Sequence, residues 1–180
     1  QKYLSERCRV SIGLVNKVVR KLEEARSVEA TRHGVRILSP ARVLNLWATE
    51  RKLQREIWRS FRLDPISEVE RRLPREVIVT GFSAWASISG RRPAEYHHLH
   101  LYVYEKEPFE RWLSYRSERI RKTNPNVFVL LNDDEHLRST SSGGVACVPQ
   151  IYVDIYSIGG PEASPYLRDI ARAHSELGMW

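Results

Sequence analysis

The fold of the front of the chain is decided by residues 11–25, which read SIGLVNKVVRKLEEA. Apolar residues recur there every three or four positions after a Ser that suits a helix N-cap, so the stretch predicts an amphipathic helix. Its core-facing stripe consists of Leu14, Val18 and Leu22, widened by Val15 and Val19. The opposite side carries Asn16, Lys17, Arg20 and Lys21. This helix is expected to present a cationic, hydrogen-bonding surface to solvent.

The segments on either side of this helix predict a second helix, a hairpin and a further helix. Residues 2–8 predict a short helix, and residues 28–38 alternate around Gly34 as a two-stranded hairpin does. Ser39-Pro40 suits the start of a further helix, which the apolar spacing extends to about Arg62. Helix, tight turn, helix and hairpin is the order of a winged helix-turn-helix. We therefore expect a winged helix-turn-helix over residues 1–38 and a helical linker over residues 39–63.

A change of pattern at Asp64-Pro65 predicts a boundary, because the residue before a proline disfavours helix. Beyond it, strands are predicted at residues 76–80, 99–103, 126–131, 145–148 and 151–155. Helices are predicted between or after them at residues 81–89, 108–121 and 164–176. This alternation indicates layers around one sheet. The expected class is α+β, with a mixed α/β domain over residues 64–180.

The charge is concentrated at the front of the chain. The 180 residues contain 29 Lys/Arg and 22 Asp/Glu, a net charge of +7. Residues 1–63 hold 15 of the cations and 6 of the acids, whereas residues 64–180 hold 14 and 16. Such asymmetry is typical of a nucleic-acid-binding module joined to another domain. A merely solvated, arginine-rich surface is the alternative.

The second helix of a helix-turn-helix lies in the major groove of DNA, where Arg pairs with guanine and Asn with adenine. The DNA-binding residues predicted on this helix are Ser11, Gly13, Asn16, Lys17, Arg20 and Lys21. Arg32 and His33, at the predicted hairpin tip, are expected to contact phosphates or the minor groove. The same module used for protein contact is the alternative.

Two features depart from the usual helix-turn-helix. Arg9 occupies the turn position where Gly is frequent, so a strained or differently shaped turn is expected. The first helix of a three-helix module is also missing. The only Met is Met179, so native sequence, including that helix, is expected to precede Gln1.

Several segments resemble known families. Residues 4–11 (LSERCRVS), followed by Val15 and Leu22, resemble the helix-turn-helix of bacterial and archaeal regulators. Residues 38–48 (LSPARVLNLWA) resemble AbiEi-type antitoxins, transcriptional regulators of type IV, abortive-infection toxin–antitoxin systems. Similar segments of that family match residues 79–86 (VTGFSAWA), 126–131 (NVFVLL) and 149–156 (PQIYVDIY), the last with Gly159-Gly160.

The AbiEi resemblance implies an N-terminal domain that binds operator DNA and represses its own promoter. It also implies a C-terminal domain that counters a nucleotidyltransferase toxin without requiring a stable complex. The partners expected are thus double-stranded DNA and, functionally, that toxin. The expected function is that of a type IV antitoxin that acts as a cytoplasmic, non-enzymatic repressor. A nucleotidyltransferase-like enzyme acting on nucleic acid and a winged-helix adaptor between proteins are the alternatives.

Residues 80–84 (TGFSA) before a strand are also similar to nucleotidyltransferases, in which an Asp-x-Asp pair on that strand binds Mg²⁺. This chain has residues 96–102 (YHHLHLY) at the corresponding place. Imidazoles are poor Mg²⁺ ligands, because Mg²⁺ prefers carboxylate oxygens and water. The resemblance therefore implies a degenerate, inactive copy of the fold, so no catalytic residue and no cofactor are expected.

Three further places in the chain carry residues that could form a site. His98 and His100 would share a face of a strand and suit zinc or nickel, but a surface pair without a third ligand is favoured. The run Asp133-Asp134-Glu135-His136 is interpreted as a solvated loop, so no metal is expected. Asp154, in a predicted apolar strand, would need a partner such as Arg or a backbone donor, and a structural role is favoured over a catalytic one.

Cysteine use and hydropathy exclude other classes. Cys8 and Cys147 are the only cysteines and lack metal-ligand spacing, which excludes a disulfide framework and a cysteine zinc site. No apolar run approaches the ~18 residues of a membrane span, and no secretory leader is evident. A cytoplasmic protein without membrane contact is expected.

Overall fold

The computed structural model describes residues 1–132 and 134–175, and only the backbone of Ser117. The fold is mixed α+β and divides into two compact units. Unit 1 comprises Gln1–Glu50 with the segment from Ala171 onward, and unit 2 comprises Arg51–Ile170. No helix in the described ranges is long and apolar enough to cross a membrane.

Unit 1 has three helices and a hairpin among its described residues. They are α1 (Lys2–Cys8), α2 (Ile12–Glu24), β1 (Val28–Thr31), β2 (Gly34–Ile37) and α3 (Pro40–Glu50). The antiparallel hairpin pairs Val28 with Ile37 and Thr31 with Gly34, which leaves a two-residue tip. These elements agree with the predicted ones as far as Glu50.

The core of unit 1 differs from the predicted stripe. Val15 and Val19 are buried, and α3 adds Ala41, Leu44 and Ala48 to the buried set. Leu14 and Val18, expected on the core face, are 47% and 49% exposed. The expectation was wrong because the helix turns the face of Val15 and Val19 to the core. Leu14 and Val18 each precede one of these residues and so lie on the neighbouring face.

Unit 2 is built on a four-stranded sheet in the order β3-β6-β5-β4. The strands are β3 (Ile57–Phe61), β4 (Ile78–Thr80), β5 (Leu99–Val103) and β6 (Val127–Leu131). β5 and β6 are parallel, and the two outer strands are antiparallel to their neighbours. The helices are α4 (Ile66–Arg71), α5 (Gly81–Ser89), α6 (Lys106–Ser114), α7 (Glu135–Thr140), α8 (Val148–Ile158) and α9 (Ala163–Ala173), of which the last three residues are assigned to unit 1.

Both faces of the sheet are covered. Every residue of β5 is buried, as expected of a strand between two layers. On one face Leu99, Leu101 and Val103 pack with Phe109 and Leu113 of α6. The other face of β5 presents His100 and Tyr102 toward α5 and α8. β5 thus places the polar side chains of His100 and Tyr102 in the interior of unit 2.

The predicted helix through Arg62 is wrong. α3 ends at Glu50, a 3-10 turn follows at Leu53–Glu56, and Ile57–Phe61 is strand β3, paired with β6. The apolar spacing happened to continue a helical period, but Ile57, Trp58 and Phe61 are β-branched or aromatic and fit a strand. Residues 51–63 therefore belong to the sheet unit rather than to a helical linker.

The two strands predicted at residues 145–148 and 151–155 are also wrong. Val145 makes only isolated bridges, and Val148–Ile158 is helix α8, with Pro149 in its first turn. The helix is buried from Gln150 to Ile155, so no polar face marks its period. The closing helix ends at Ala173, and Glu176, its predicted end, lies outside the described residues.

Candidate nucleic-acid interface

The turn between α1 and α2 has the left-handed conformation. Arg9 has φ 53° and ψ 39°, and its N–H donates to the carbonyls of Ser5 and Glu6. The Ser5 hydroxyl also donates to the Val10 carbonyl at 2.6 Å. An arginine therefore occupies a backbone conformation that favours glycine, which costs about 1–2 kcal/mol of intrinsic preference.

α2 exposes three polar side chains together. Asn16, Lys17 and Arg20 are exposed on the side away from Val15 and Val19. None of the three has a hydrogen bond or ion pair with another residue of the described ranges. Gly13 is exposed as well, and an added Cβ there would meet only the Ser11 Oγ at 3.9 Å. The first turns of α2 thus leave both side chains and backbone accessible.

Two of the predicted residues are engaged within unit 1. The Ser11 Oγ accepts a hydrogen bond from the Leu14 N–H at 3.2 Å and so caps α2. The Lys21 ammonium donates to a Glu50 carboxylate oxygen at 2.7 Å. Lys21 therefore joins α2 to α3, a role that its spacing on α2 did not reveal. The three side chains Asn16, Lys17 and Arg20 remain as the polar face of α2.

A further exposed cation lies at the hairpin tip. Arg32 and His33 form the tip and are exposed, and the Arg32 Nε donates to the His33 Nε2 at 2.9 Å. The Thr31 Oγ1 accepts the His33 N–H and thereby tightens the turn. Further down the hairpin, Arg36 pairs with Glu29. Arg32 is accordingly the hairpin cation without an acidic partner among the described residues.

The cationic excess at the front is shared between the units. Residues 1–50 contain 10 Lys/Arg and 5 Asp/Glu, so five cations of residues 1–63 belong to unit 2. Three of these five are paired, Arg51 with Asp154, Arg59 with Glu110 and Arg62 with Asp64. Unit 1 alone carries a smaller excess than the sequence division suggested.

An apolar groove runs beside the polar face. Its α2 side is formed by Leu14, Val18 and Leu22, and its α3 side by Val43, Leu46 and Trp47. Trp47 is 40% exposed, similar to Leu14 and Val18. Lys17 and the Lys21–Glu50 pair lie along the same groove. Unit 1 therefore has an apolar contact surface in addition to its cationic one.

Unit 2 holds a buried polar network centred on Asp154. The carboxylate, fully buried on α8, accepts hydrogen bonds from Arg51, Thr80, Tyr102 and Gln150. Arg51 also pairs with Glu56 and donates to the Tyr102 hydroxyl. The expectation that Asp154 pairs with Arg is confirmed, although on a helix instead of a strand. No sequence signal marked Arg51, which lies in a run of surface-type cations.

Burial and the neighbouring polar groups have opposite effects on the pKa values of Asp154 and Arg51. Burial raises the pKa of the Asp154 carboxyl, whereas hydrogen bonds from Thr80, Tyr102 and Gln150 and the charge of Arg51 lower it. Burial opposes the charge of Arg51, but Tyr102, Asp154 and Glu56 together raise the pKa of the guanidinium. With both oxygens engaged and no solvent contact, Asp154 is built to position neighbouring elements.

The histidines do not share an exposed face. His98 precedes β5 and is exposed, whereas His100 is 3% exposed and stacks on Phe128 with ring centroids 5.0 Å apart. Burial lowers the pKa of the His100 imidazole to about 3, with His98 adding to the effect. The His100 Nδ1 has no hydrogen-bond partner in the described structure. The paired surface histidines expected from the sequence are therefore wrong for His100.

The backbone conformation of Gly81, at the start of α5, favours a glycine. Its φ is +70°, in the left-handed region that residues with a side chain rarely adopt. A Cβ there would also come within 2.9 Å of the Ile158 Cδ1, the end of a flexible side chain. The backbone conformation therefore accounts for the glycine of the Thr-Gly segment.

The acidic run after β6 is a helix start. Asp134 caps α7 by accepting the His136 N–H at 2.8 Å, and Glu135 lies in the first turn. Asp133 lies outside the described residues. Within residues 1–132 and 134–175, no three His, Cys, Asp or Glu side chains are grouped to hold a metal ion.

Comparison with known proteins gave no relative. No protein-family model matches the chain. Neither a curated protein nor a solved structure matches it significantly.

Proposed function

We propose that unit 1 is a winged helix-turn-helix that binds double-stranded DNA with α2 in the major groove. The observation that carries the proposal is the exposed, unpaired set Asn16, Lys17 and Arg20 on α2. Guanidinium and amide groups at this position match the hydrogen-bonding edges of guanine and adenine. The order α1, turn, α2 and hairpin supports the same assignment.

Arg32 at the hairpin tip supports a phosphate contact beside the groove. Phosphate contacts fix the register of a protein on DNA, while base contacts give specificity. The two-residue tip between Thr31 and Gly34 holds Arg32 at the end of a paired ladder, which limits its freedom. The hairpin thus has the features of a wing.

The biological role we propose is that of an antitoxin of the type IV toxin–antitoxin class that represses its own promoter. The AbiEi resemblance of residues 38–48, 79–86, 126–131 and 149–156 supports it. Its functional partner would be a nucleotidyltransferase toxin, with no direct contact required. In this proposal unit 2 belongs to a non-catalytic domain.

Footprinting on the DNA upstream of the protein's own gene tests this proposal. We expect a protected segment, bound more tightly than a scrambled duplex of equal length. Because counterions are released from phosphates, the logarithm of the binding constant should fall linearly with the logarithm of salt concentration. Equal, salt-independent binding to both duplexes would contradict DNA recognition.

The second candidate function is that of an adaptor, and the groove of Leu14, Val18 and Trp47 favours it. Contiguous exposed apolar surface often marks a protein contact. An adaptor would lose its partner when Val18 is changed to Asp but would be unaffected by Arg20→Ala. DNA binding predicts the reverse order of sensitivity.

A further inference from the structure

Three guanidinium groups of unit 2 lie together where α4 meets the chain after α6. Arg72 and Arg119 each contact Glu68, with nitrogen–oxygen distances of 3.1 Å to its two oxygens. Burial, together with the charges of Arg72 and Arg119, lowers the pKa of the Arg116 guanidinium. Arg72 and Arg119 therefore share one carboxylate, and Arg119 also donates to the Asp64 carbonyl at 2.8 Å. Arg116 contacts no carboxylate among the described residues, and the exposed Glu118 engages none of the three cations.

Arg116 is held in a fixed orientation. Its guanidinium carbon lies 4.3 Å from the centroid of a Trp112 ring, and its Nη1 donates to the Trp112 carbonyl at 2.8 Å. The Trp112 indole N–H in turn donates to the Arg72 carbonyl at 2.7 Å. These contacts order the cluster before any ligand binds, which reduces the entropy lost on binding.

An exposed aromatic ring adjoins the cluster. Tyr115 is 80% exposed at the end of α6, directly before Arg116 in the chain. Arg121 and Lys122 continue the run of cations and are exposed. A water-exposed ring next to the Arg116 guanidinium, which contacts no carboxylate among the described residues, is a combination that serves base stacking and phosphate binding.

We propose that this cluster binds single-stranded nucleic acid, with Arg116, Arg121 and Lys122 on the phosphodiester backbone and a base stacked on Tyr115. The planar guanidinium fork binds two phosphate oxygens at once and so fits a phosphate more closely than the compact ammonium of a lysine does. Stacking on Tyr115 requires an unpaired base, which favours a single strand over a duplex. The proposal concerns residues of unit 2 alone and does not depend on DNA binding by unit 1.

Fluorescence anisotropy of the full-length protein with short labelled oligonucleotides, RNA and DNA of mixed sequence, tests the proposal. Tyr115→Ala should weaken single-strand binding about tenfold, the size of one lost stacking contact. Arg116→Ala should weaken it as well and reduce its salt dependence. Circular dichroism at each variant's working temperature checks that the fold is retained.

Matched controls remove a similar side chain elsewhere. Arg111→Ala removes an exposed cation of α6 that is paired with Glu107, and Tyr156→Ala removes a 44% exposed tyrosine. Both should bind like the wild type. Arg20→Ala should also bind single strands like the wild type. Duplex DNA binding tests the unit 1 proposal separately, so failure of either proposal can be recognised without the other.

Three outcomes would overturn the proposal. The first is wild-type affinity in folded Tyr115→Ala and Arg116→Ala proteins. The second is equal loss in the Arg111→Ala control, which would indicate a general charge effect. The third is competition by polyglutamate as effective as that by the oligonucleotide, which would indicate an unselective anion surface.

Discussion

Arg51 and Asp154, 103 residues apart in the chain, are joined by a hydrogen bond of 3.2 Å from the guanidinium Nε to the carboxylate Oδ1. The side chain of Asp154 is fully buried and that of Arg51 is 12% exposed. The pair fixes the first residue of unit 2 to the helix that packs on α5. A buried carboxylate deprived of its cation is strongly destabilising.

Arg51→Met should therefore lower the free energy of unfolding by about 3–5 kcal/mol. Arg59→Met is the matched control, because Arg59 forms an exposed ion pair with Glu110. The nitrogen–oxygen distance is 3.7 Å, and the side chains of Arg59 and Glu110 are 42% and 50% exposed. Its loss should cost less than about 1 kcal/mol. Urea unfolding of both variants at neutral pH measures the difference. Similar values for the two would show that the buried pair contributes no more than a surface pair.

Arg20 and Arg32 should differ in what they contribute to DNA binding. If the Arg20 guanidinium reaches a guanine edge, Arg20→Ala should weaken binding to the preferred site by about 1–3 kcal/mol and relax preference at one base pair. Arg32→Ala should weaken all sequences alike and lower the salt slope by about one unit. Binding isotherms at several salt concentrations on specific and scrambled duplexes separate these effects.

Arg26→Ala is a suitable control for both variants, since Arg26 is an exposed arginine beyond the end of α2. It should change neither base preference nor affinity beyond the small effect of net charge. If Arg20→Ala and Arg32→Ala also leave binding unchanged in folded protein, α2 is not the recognition helix.

Val18 and Val19, adjacent on α2, should respond differently to truncation. Val19 is 4% exposed, so Val19→Ala removes buried methyl groups and should cost about 2 kcal/mol. Val18 is 49% exposed, and the higher helix propensity of Ala, about 0.5 kcal/mol, should offset most of its loss. Thermal unfolding of the two variants provides the comparison. Equal destabilisation would place Val18 in the core and close the groove.

His100 should make the protein sensitive to acid. Its pKa of about 3 in the folded chain lies below the value of about 6.5 in the unfolded chain. As pH falls below 6.5, the unfolded chain binds a proton that the folded chain excludes, so stability decreases until about pH 3. Between pH 7 and pH 5 this contribution amounts to a loss of about 2 kcal/mol.

The His100→Leu variant should lack that part of the pH dependence, whatever its absolute stability. His97→Leu, at an exposed neighbouring position, should retain the wild-type dependence. Denaturant midpoints at pH 7 and pH 5 give both differences. A His100→Leu protein as acid-sensitive as the wild type would show that His100 is protonated in the folded state.

The sequence predicted elements best where polarity alternates with burial. α2, the hairpin and α5 have clear caps, turns or periods, and they occur where expected. α8 was missed because its buried residues Gln150–Ile155 surround the helix on all sides and leave no polar stripe. β3 was missed because its apolar residues continue the helical spacing of α3.

Site residues were predictable to the extent that their environment is local. The exposure of Asn16, Lys17 and Arg20 follows from the helical period of α2 alone. The engagement of Lys21 does not, since Glu50 lies 29 residues further along the chain. The Arg72, Arg116 and Arg119 cluster likewise depends on tertiary packing, although the cation-rich run of residues 116–122 was a visible signal.

The strand order of unit 2 has a consequence for synthesis on the ribosome. β3, the first strand to emerge, pairs with β6, the last, so the sheet stays open until Leu131 has left the exit tunnel. The Arg51–Asp154 contact forms later still, because Asp154 follows Leu131 in the chain. Contacts of such long sequence separation form slowly, and unpaired strand edges are prone to aggregate meanwhile. We expect nascent chains that stall before α8 to depend on chaperones, while the β1–β2 hairpin, built from neighbouring residues, forms early.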